Sequence, residues 1–298
     1  MLPLYGMSAD LISIQPVSEV PADDFVLALN AAYADYYVPI RLTRQSFADL
    51  VACESVRLEF SAAALYHRQI VGMGLLAVRG RRGWIGGMGV VPEFRRRGIA
   101  RRIMLYLLDQ ARRLGLSTVQ LEVITQNQAA YPLYSSLGFQ TVRQLLILSC
   151  EKCTPVSLPV QPASGLRIEK HDPRTLFDLL PELPAPRRPW QREQDSLRVV
   201  PERLNALAAF SGAERHLMGV CLSGRGFGQV GLLELAAVNP EVADALLQEL
   251  FRQFSPSSFY YQNIGDDDPL LPVLLSAGFH ETLSQYEMIL PLDQEAGA

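Results

Sequence analysis

Apolar and polar residues alternate along the first half of the chain with two different periods, which predict strands and helices. Runs with a period of two, or short continuous apolar runs, predict strands at 11–15, 58–65, 69–79, 82–91, 118–124 and 139–148. Apolar residues spaced by three or four predict helices at 23–34, 43–52, 97–114 and 129–137. This order predicts a mixed α/β sheet, the α+β arrangement of strands with helices between them.

The second half of the chain repeats this pattern. The tripeptide at 91–93, Val-Pro-Glu, is echoed by Asn-Pro-Glu at 239–241, and Leu-Gly-Phe at 137–139 is echoed by Ala-Gly-Phe at 277–279. The two offsets, 148 and 140 residues, differ only by a small deletion. Two matches in register, each with the same flanking pattern, predict a duplicated fold.

A proline-rich stretch separates the two halves. Proline disfavours both helix and central strand, so residues 151–164 are predicted to be a linker between domains at 1–150 and 165–298. The length of 298 residues agrees, since a domain takes about 150 residues. A second irregular stretch, 181–190, predicts a surface loop.

Composition excludes several protein classes. Apolar residues are 49% and charged residues 19%, which excludes a disordered chain, and four cysteines exclude a disulfide scaffold. No apolar run reaches the length of about 18 residues that a membrane span needs. The first residues lack the basic start and apolar stretch of a signal peptide, so we expect a cytoplasmic protein.

The cysteine spacing at Cys150 and Cys153 is compatible with zinc or redox chemistry. A zinc site needs four ligands, however, and no second pair follows. We therefore expect two reduced cysteines at a strand end and no metal site.

Charge is divided unevenly between the halves. The net charge of −4 argues against nucleic acid as a partner. Residues 1–150 hold 15 arginines and 11 acidic residues, whereas residues 151–298 hold 12 basic and 20 acidic residues. The basic half suits a ligand that carries phosphate.

The segment between the predicted strand 82–91 and the predicted helix 97–114 has the composition of a phosphate site. Its pattern R-x-x-G-x-A falls on Arg95, Gly98 and Ala100. A helix N-terminus presents free N–H groups and the positive end of its dipole, and small residues let backbone approach phosphate. The alternative is a solvated basic cap, which the helix dipole disfavours.

A second cluster follows the predicted strand 118–124. It consists of Asn127, Ala130, Tyr134, Gly138 and Phe139. If Asn127 caps the helix, the side chains of Ala130 and Tyr134 share its face.

In this order and spacing, the motifs resemble the GNAT superfamily of acyl-CoA-dependent N-acyltransferases, over about residues 10–150. The resemblance implies acetyl-CoA as the donor and two tandem GNAT-like domains. It also implies a role for each matching position. The strand at Met88, Gly89 and Val90 pairs with the pantetheine arm, and Asn127 and Ala130 contact that arm. The pyrophosphate is held by Arg96, Arg97, Gly98, Ile99, Ala100 and Arg101, and Arg95 is a further residue that binds the cofactor.

Tyr134 is the implied general acid, since a phenol near the leaving thiolate can supply a proton; its alternative is a plain core aromatic. Glu122 matches the glutamate that serves as base in some members, and its alternative is a buried structural carboxylate. Tyr33, Tyr36 and Tyr37 lie where family members often bind the acceptor, and they either line that pocket or belong to the core.

The second half lacks these chemical groups. At the two offsets, Gly98 maps to Leu246, and Tyr134 maps to Leu274. We therefore expect an N-acetyltransferase that is active in its first domain and acts on a primary amine of a small molecule or peptide, with no nucleic acid or membrane partner. Two alternatives stay open at this point. They are a non-catalytic acyl-CoA sensor or interaction module, and an acyltransferase of thiol biosynthesis.

Overall fold

The protein is described here by a computed structural model, which covers residues 12–38, 40–151, 153, 165–183, 186–212, 215–226 and 228–292. Most of the predicted linker lies outside these residues. The chain divides into two compact units. The first unit comprises Met1–Val142 and Glu287–Ala298, and the second comprises Arg143–Tyr286.

This division differs from the linear one that the sequence predicts. Residues 143–150 belong to the second unit, and residues 287–298 belong to the first. The chain passes from one unit to the other within two strands, Gln140–Cys150 and His280–Pro291. The first unit therefore contains a segment that follows the predicted linker, and the second contains a segment that precedes it.

The first unit contains strands that alternate with helices as predicted. In chain order its elements are β1 (Ile12–Pro16), α1 (Ala22–Ala32), α2 (Arg44–Cys53), β2 (Ala62–Tyr66), β3 (Gln69–Arg79), β4 (Arg82–Val90), α3 (Ile99–Arg113), β5 (Thr118–Ile124) and α4 (Ala130–Ser136). The strands lie in the order β1-β2-β3-β4-β5. β2 begins at Ala62, later than the predicted 58, because the residues before it form turns.

Local chemistry explains two features of this unit. Thr43 caps α2, in a capping box with Ser46. Helix α3 lies close to the sheet because β3 carries glycine beneath it. A Cβ at Gly74 would come within 2.8 Å of Leu107 in α3.

Strands β4 and β5 separate along their length. They pair in parallel from Arg82 opposite Thr118 to Trp84 opposite Gln120, and the described pairing ends there. Both strands continue, so an opening lies between their C-terminal halves. Ligands of open α/β sheets bind at such carboxyl ends.

The second unit repeats the order of the first, which confirms the predicted duplication. Strand β6 (Gln140–Cys150) enters it, followed by β7 (Leu166–His171), α5 (Pro173–Leu179), α6 (Gln194–Leu197), β8 (Leu204–Ser211), β9 (His216–Gly226), β10 (Gln229–Ala237), α7 (Pro240–Phe254), β11 (Phe259–Gly265), α8 (Leu271–Ser276) and β12 (His280–Pro291). Its strand order is β6-β11-β10-β9-β8-β7. The end of β12 belongs to the first unit, where the N–H of Leu292 donates to Ser117 O at 2.9 Å.

Two expectations from the sequence are wrong. The segment 181–190 is not a surface loop throughout: of its described residues, Leu183, Pro189 and Trp190 are buried, whereas Pro181, Glu182 and Arg187 are exposed. Cys150 and Cys153 are joined in a disulfide rather than reduced, and both lie in the core of the second unit. No helix in the described part of the chain is long and apolar enough to cross a membrane.

Candidate functional site

A cavity of about 600 Å³ lies in the first unit at the opening beyond β4. It is bounded by the end of β4, the start of α3, helix α4 and the segment between α1 and α2. Most of the predicted site residues line it. They are Tyr33, Tyr36, Tyr37, Met88, Gly89, Val90, Arg95, Arg96, Gly98, Ile99, Ala100, Arg101, Asn127, Ala130 and Tyr134.

The loop before α3 has a backbone suited to an anion. Arg96 and Gly98 both have positive φ, +64° and +75°, and Gly98 is the N-cap of α3. A Cβ at Gly98 would touch nothing within 4 Å, so the conformation, not the space, favours glycine here. No side chain caps this helix start. Its first N–H groups are therefore available to an anion.

Arginines surround this helix start. Arg96 and Arg101 line the cavity, and Arg101 Nη1 donates to Ser136 Oγ at 2.9 Å. Arg97 points elsewhere. Its Nη2 donates to Glu93 O at 3.1 Å, and its guanidinium lies 5.5 Å from the Phe94 ring centre. Arg97 is thus not among the residues that line the cavity.

Arg95 lines the cavity but is engaged with protein groups. It forms an ion pair with Asp35, with two N···O distances of 2.7 Å. The hydrogen bonds from Arg95 lower the pKa of Asp35 below its ordinary value. Asp35 was not predicted as a site residue, since nothing in the sequence pairs an acid with an arginine 60 positions later.

Asn127 lies three residues before α4, whose N-cap is Ala129 and not Asn127. Its Oδ1 accepts from the N–H of Ala130 at 3.1 Å. Its side-chain amide is therefore left to donate, and it forms a hydrogen bond with Tyr36 that opposes the rise in the Tyr36 pKa caused by burial. Asn127 joins α4 to the segment between α1 and α2.

Tyr134 faces the cavity from α4. Its side chain is 6% exposed, and its ring meets Phe139 edge-on at 6.2 Å between centres. Burial, with a smaller contribution from Tyr36, raises the pKa of Tyr134 above its ordinary value. The phenol therefore keeps its proton at neutral pH.

The three predicted acceptor tyrosines form a wall of the cavity. The rings of Tyr33 and Tyr36 meet edge-on at 4.9 Å, and those of Tyr36 and Tyr37 at 5.4 Å. Tyr33 OH donates to Met88 O, and Tyr37 OH donates to Gln126 O, both at 3.0 Å. These two hydrogen bonds join the segment 33–37 to β4 and to the residues that precede α4.

Glu122 lies apart from these groups. Its Oε2 accepts from Trp84 Nε1 at 2.7 Å, between β5 and β4. Neither residue is among those that line the cavity. In the described residues, no group of three or more His, Cys, Asp or Glu side chains is arranged to hold a metal ion.

The corresponding helix start in the second unit is occupied by its own chain. Asn239 caps α7, accepting from the N–H of Val242 at 3.0 Å, and Pro240 takes the first helical position. Proline has no N–H to offer. This helix start thus differs from that of α3, where no side chain caps the first turn.

The opening between β10 and β11 is also filled. Their parallel pairing ends at Leu232 opposite Tyr261, and beyond it lies the guanidinium of Arg192. Arg192 Nε donates to Leu233 O on β10 at 3.0 Å, and its Nη1 donates to Asn263 O on β11 at 3.2 Å. Arg192 Nη2 also donates to the hydroxyl of Tyr261. No motif in the sequence predicts this role for Arg192.

A family model matches the part of the chain that holds the cavity. The acetyltransferase (GNAT) family matches residues 26–139, the part of the chain that holds every side chain of the cavity wall.

Curated relatives match a shorter part of the chain. A ribosomal protein bS18-alanine N-acetyltransferase of Salmonella typhimurium is 42% identical over 59 residues, which is 19% of this chain and 40% of the relative. The N-alpha-acetyltransferase RimI of Mycobacterium tuberculosis is 51% identical over 55 residues, 18% of this chain and 33% of that protein. The chain thus spans well under half the length of these relatives.

Solved structures resemble the whole chain. A GCN5-related N-acetyltransferase from Sphaerobacter thermophilus has a TM-score of 0.73 at 18% identity, covering 96% of this chain and 97% of its own. A tandem GNAT protein from the clavulanic acid biosynthesis pathway has a TM-score of 0.68 at 15% identity, covering 95% and 99%. Residues 26–139 therefore match the acetyltransferase (GNAT) family, and the chain as a whole is similar in fold to a tandem GNAT protein.

Proposed function

We propose that the first unit transfers an acetyl group from acetyl-CoA to a primary amine, directly and without an acyl-enzyme. One observation carries this proposal. The uncapped start of α3, the end of β4 and the buried phenol of Tyr134 all face one cavity. A pyrophosphate site, a strand edge for the pantetheine arm and a proton donor near the thioester are the parts that such a transfer requires.

The groups around the cavity fit acetyl-CoA. Free N–H groups at the α3 start, with Arg96 and Arg101 beside them, suit a pyrophosphate. Asn127 and the Met88–Val90 edge of β4 offer amide groups to the pantetheine arm. Acetyl-CoA supplies the activated thioester; the protein residues bind it, orient it and handle the protons.

The reaction balances with these groups. The neutral amine nitrogen attacks the thioester carbon and forms the C–N bond. The C–S bond then breaks, and the departing thiolate takes the proton of the Tyr134 hydroxyl. A backbone N–H at Val90 is suited to the oxyanion that forms in between.

The proton lost by the attacking amine needs an acceptor. Glu122 is one candidate, but its carboxylate accepts from Trp84 and lies outside the cavity wall. A water chain to solvent is the other, and the proton it carries can later restore the Tyr134 phenol. The position of Glu122 favours the water chain.

The acceptor is a primary amine of a small molecule or a peptide. The relatives from Salmonella typhimurium and Mycobacterium tuberculosis are N-acetyltransferases, the first of them acting on an alanine of ribosomal protein bS18. The tyrosine wall of Tyr33, Tyr36 and Tyr37 offers aromatic faces and hydroxyls to such an acceptor. A cytoplasmic location is part of the same proposal.

The second unit is proposed to be non-catalytic and to bind no acetyl-CoA. Asn239 takes up the start of α7, and Arg192 fills the opening between β10 and β11. The two places where pyrophosphate and pantetheine bind in the first unit are therefore occupied by side chains of the chain itself.

The test measures thiol release from acetyl-CoA across a panel of amines, including small polyamines and a hexapeptide with an N-terminal alanine. Wild-type protein should release thiol with at least one amine, and Tyr134→Phe should reduce that rate. Binding of acetyl-CoA by calorimetry without turnover on any amine would favour a non-catalytic acyl-CoA sensor. Turnover only on amine precursors of small thiols would favour a thiol-biosynthesis acyltransferase.

A further inference from the structure

Arg95 joins three parts of the first unit through one guanidinium group. Its Nη1 and Nη2 bind the two carboxylate oxygens of Asp35, both at 2.7 Å. Its Nε donates to Val90 O, and its Nη2 also donates to Ala32 O, each at 3.0 Å. The end of α1, the segment after it and the end of β4 therefore meet at this side chain.

The carbonyl of Val90 lies on the open edge of β4. The N–H of Val91 donates to Val71 O on β3 at 2.9 Å. Because the peptide between Val90 and Val91 is trans, its carbonyl points to the opposite side, away from β3. Arg95 thus holds the peptide whose edge borders the cavity.

The same segment is tied to this strand at a second point. Tyr33 OH donates to Met88 O at 3.0 Å, two residues before Val90. In the sequence Asp35 lies between Tyr33 and Tyr36, whose ring centres are 4.9 Å apart. Holding Asp35 therefore restrains the stretch of backbone that carries both rings.

The engagement of Arg95 sets it apart from the other arginines of the loop. Every nitrogen of its guanidinium donates to a protein oxygen. A planar guanidinium that donates two parallel hydrogen bonds to the two oxygens of a carboxylate makes a strong and directional contact. Arg101, in contrast, has one described hydrogen bond, to Ser136, and lines the cavity at the start of α3.

We propose that Arg95 and Asp35 are a positioning pair, which holds the tyrosine segment 33–37 against the end of β4, and that Arg95 is not a ligand of the pyrophosphate. This rests on the proposed function of the cavity. It gives Arg95 a role different from the one that its motif implies. The pair sets the distance between the acceptor wall and the strand that borders the thioester.

The experiment combines hydrogen–deuterium exchange with calorimetry on the full chain. Variants Asp35→Asn and Arg95→Gln should increase deuterium uptake at residues 31–38. Asp35→Glu, which keeps the carboxylate, should restore much of the protection. The matched control is Asp23→Asn, because Asp23 forms an exposed ion pair with Arg44 at 3.3 Å between α1 and α2. It should leave uptake at 31–38 unchanged.

Calorimetry with acetyl-CoA supplies the second readout. Arg95→Gln and Asp35→Asn should keep the Kd within about twofold of wild type, whereas Arg101→Gln should weaken it by about tenfold or more, as expected for a lost charged contact to phosphate. Arg95→Gln binding as weakly as Arg101→Gln would overturn the proposal. Unchanged uptake in Asp35→Asn would overturn it as well.

The two proposals fail in different ways. If wild-type protein binds no acetyl-CoA, the proposed function fails, and the exchange data still decide whether Asp35 and Arg95 hold the segment. If acetyl-CoA binds and the exchange pattern does not respond to either variant, the positioning pair fails alone.

Discussion

The surroundings of Tyr134 keep its phenol protonated. Burial and the nearby Tyr36 both raise its pKa. A raised pKa makes the free phenol a weaker acid, yet it keeps the group protonated at neutral pH. In the proposed reaction the departing thiolate takes this proton, so the phenol must still carry it at that step.

Replacing Tyr134 by phenylalanine removes the proton donor and keeps the ring. We expect kcat to fall by about 10²-fold or more, the usual contribution of general acid catalysis, with the acetyl-CoA Kd nearly unchanged. The control is Tyr131→Phe, a tyrosine on the same helix whose hydroxyl lies 3.3 Å from Thr141 Oγ1. Equal rates in wild type and Tyr134→Phe would contradict the acid role.

The pH dependence follows from the same shift. The rate should rise with pH as the acceptor amine loses its proton. Because the pKa of Tyr134 is raised, its proton is present throughout the rise, and we expect no falling limb from Tyr134 below about pH 10, the ordinary tyrosine value. A falling limb near neutral pH that disappears in Tyr134→Phe would contradict this assignment.

Single residues with a local motif were predictable, whereas residues defined by a distant partner were not. Asn127 and Gly98 follow from short-range rules for helix starts, and both lie at the cavity. Asp35 belongs to the site because it forms an ion pair with Arg95. Arg97 does not line the cavity, since its side chain contacts Glu93 and Phe94 instead. Such pairings depend on side-chain directions that the spacing of a motif does not fix.

At the scale of elements, the two long helices of 15 residues, α3 and α7, differ at their first turn. Helix α3 begins at a glycine in the left-handed conformation without a side-chain cap, and α7 begins at Asn239 with a cap and a proline. The same helix in the same position of a repeated fold therefore offers its N–H groups in one unit and satisfies them internally in the other.

Gly98→Ala tests the start of α3. An L-residue with positive φ costs about 1–2 kcal/mol, so the loop should lose the conformation that presents its N–H groups, and acetyl-CoA binding should weaken. Gly115→Ala is the matched control. Gly115 also has positive φ, +68°, and open space, but it follows the other end of α3.

Both glycine variants should lose similar stability in urea, and only Gly98→Ala should lose acetyl-CoA affinity. Equal affinity in the two variants would show that the start of α3 does not bind the donor.

Asn239→Ala tests the cap of α7. Loss of an N-cap costs about 1 kcal/mol, so the midpoint of urea unfolding should fall. Acetyl-CoA affinity should stay at the wild-type value, because this helix start takes no part in binding. A change in affinity would mean that the second unit contributes to the donor site.

Elements with a clear period were predictable from the sequence, and the segment around 181–192 was not. Proline-rich composition is typical of surface loops, but here it leads to Trp190 and Arg192, which are both buried. The burial arises because β10 and β11 separate and leave carbonyls that Arg192 satisfies. That requirement exists only once the sheet is formed.

At the scale of the whole molecule, the chain contains two copies of one fold, which differ in the side chains at the helix start and at the opening between the strands. The repeat was visible in the sequence because glycine and proline mark the same turns twice. The limits of the units were not visible, because residues 143–150 and 287–298 join the unit on the far side of the linker. Strand membership depends on pairing, which a linear reading of composition does not contain.

The uneven charge of the two halves agrees with this division. The basic half includes the arginines around the cavity, and in the acidic half Asn239 stands at the helix start where the basic half has Gly98. One acetyl-CoA site per chain follows from the proposal.

Titration of the full chain with acetyl-CoA by calorimetry tests the central claim most directly, with Arg101→Glu and the control Arg112→Glu at the other end of α3. We expect one site per chain in wild type and in Arg112→Glu, and loss of that site in Arg101→Glu. Two sites in the wild type, or undiminished binding in Arg101→Glu, would contradict the proposed function.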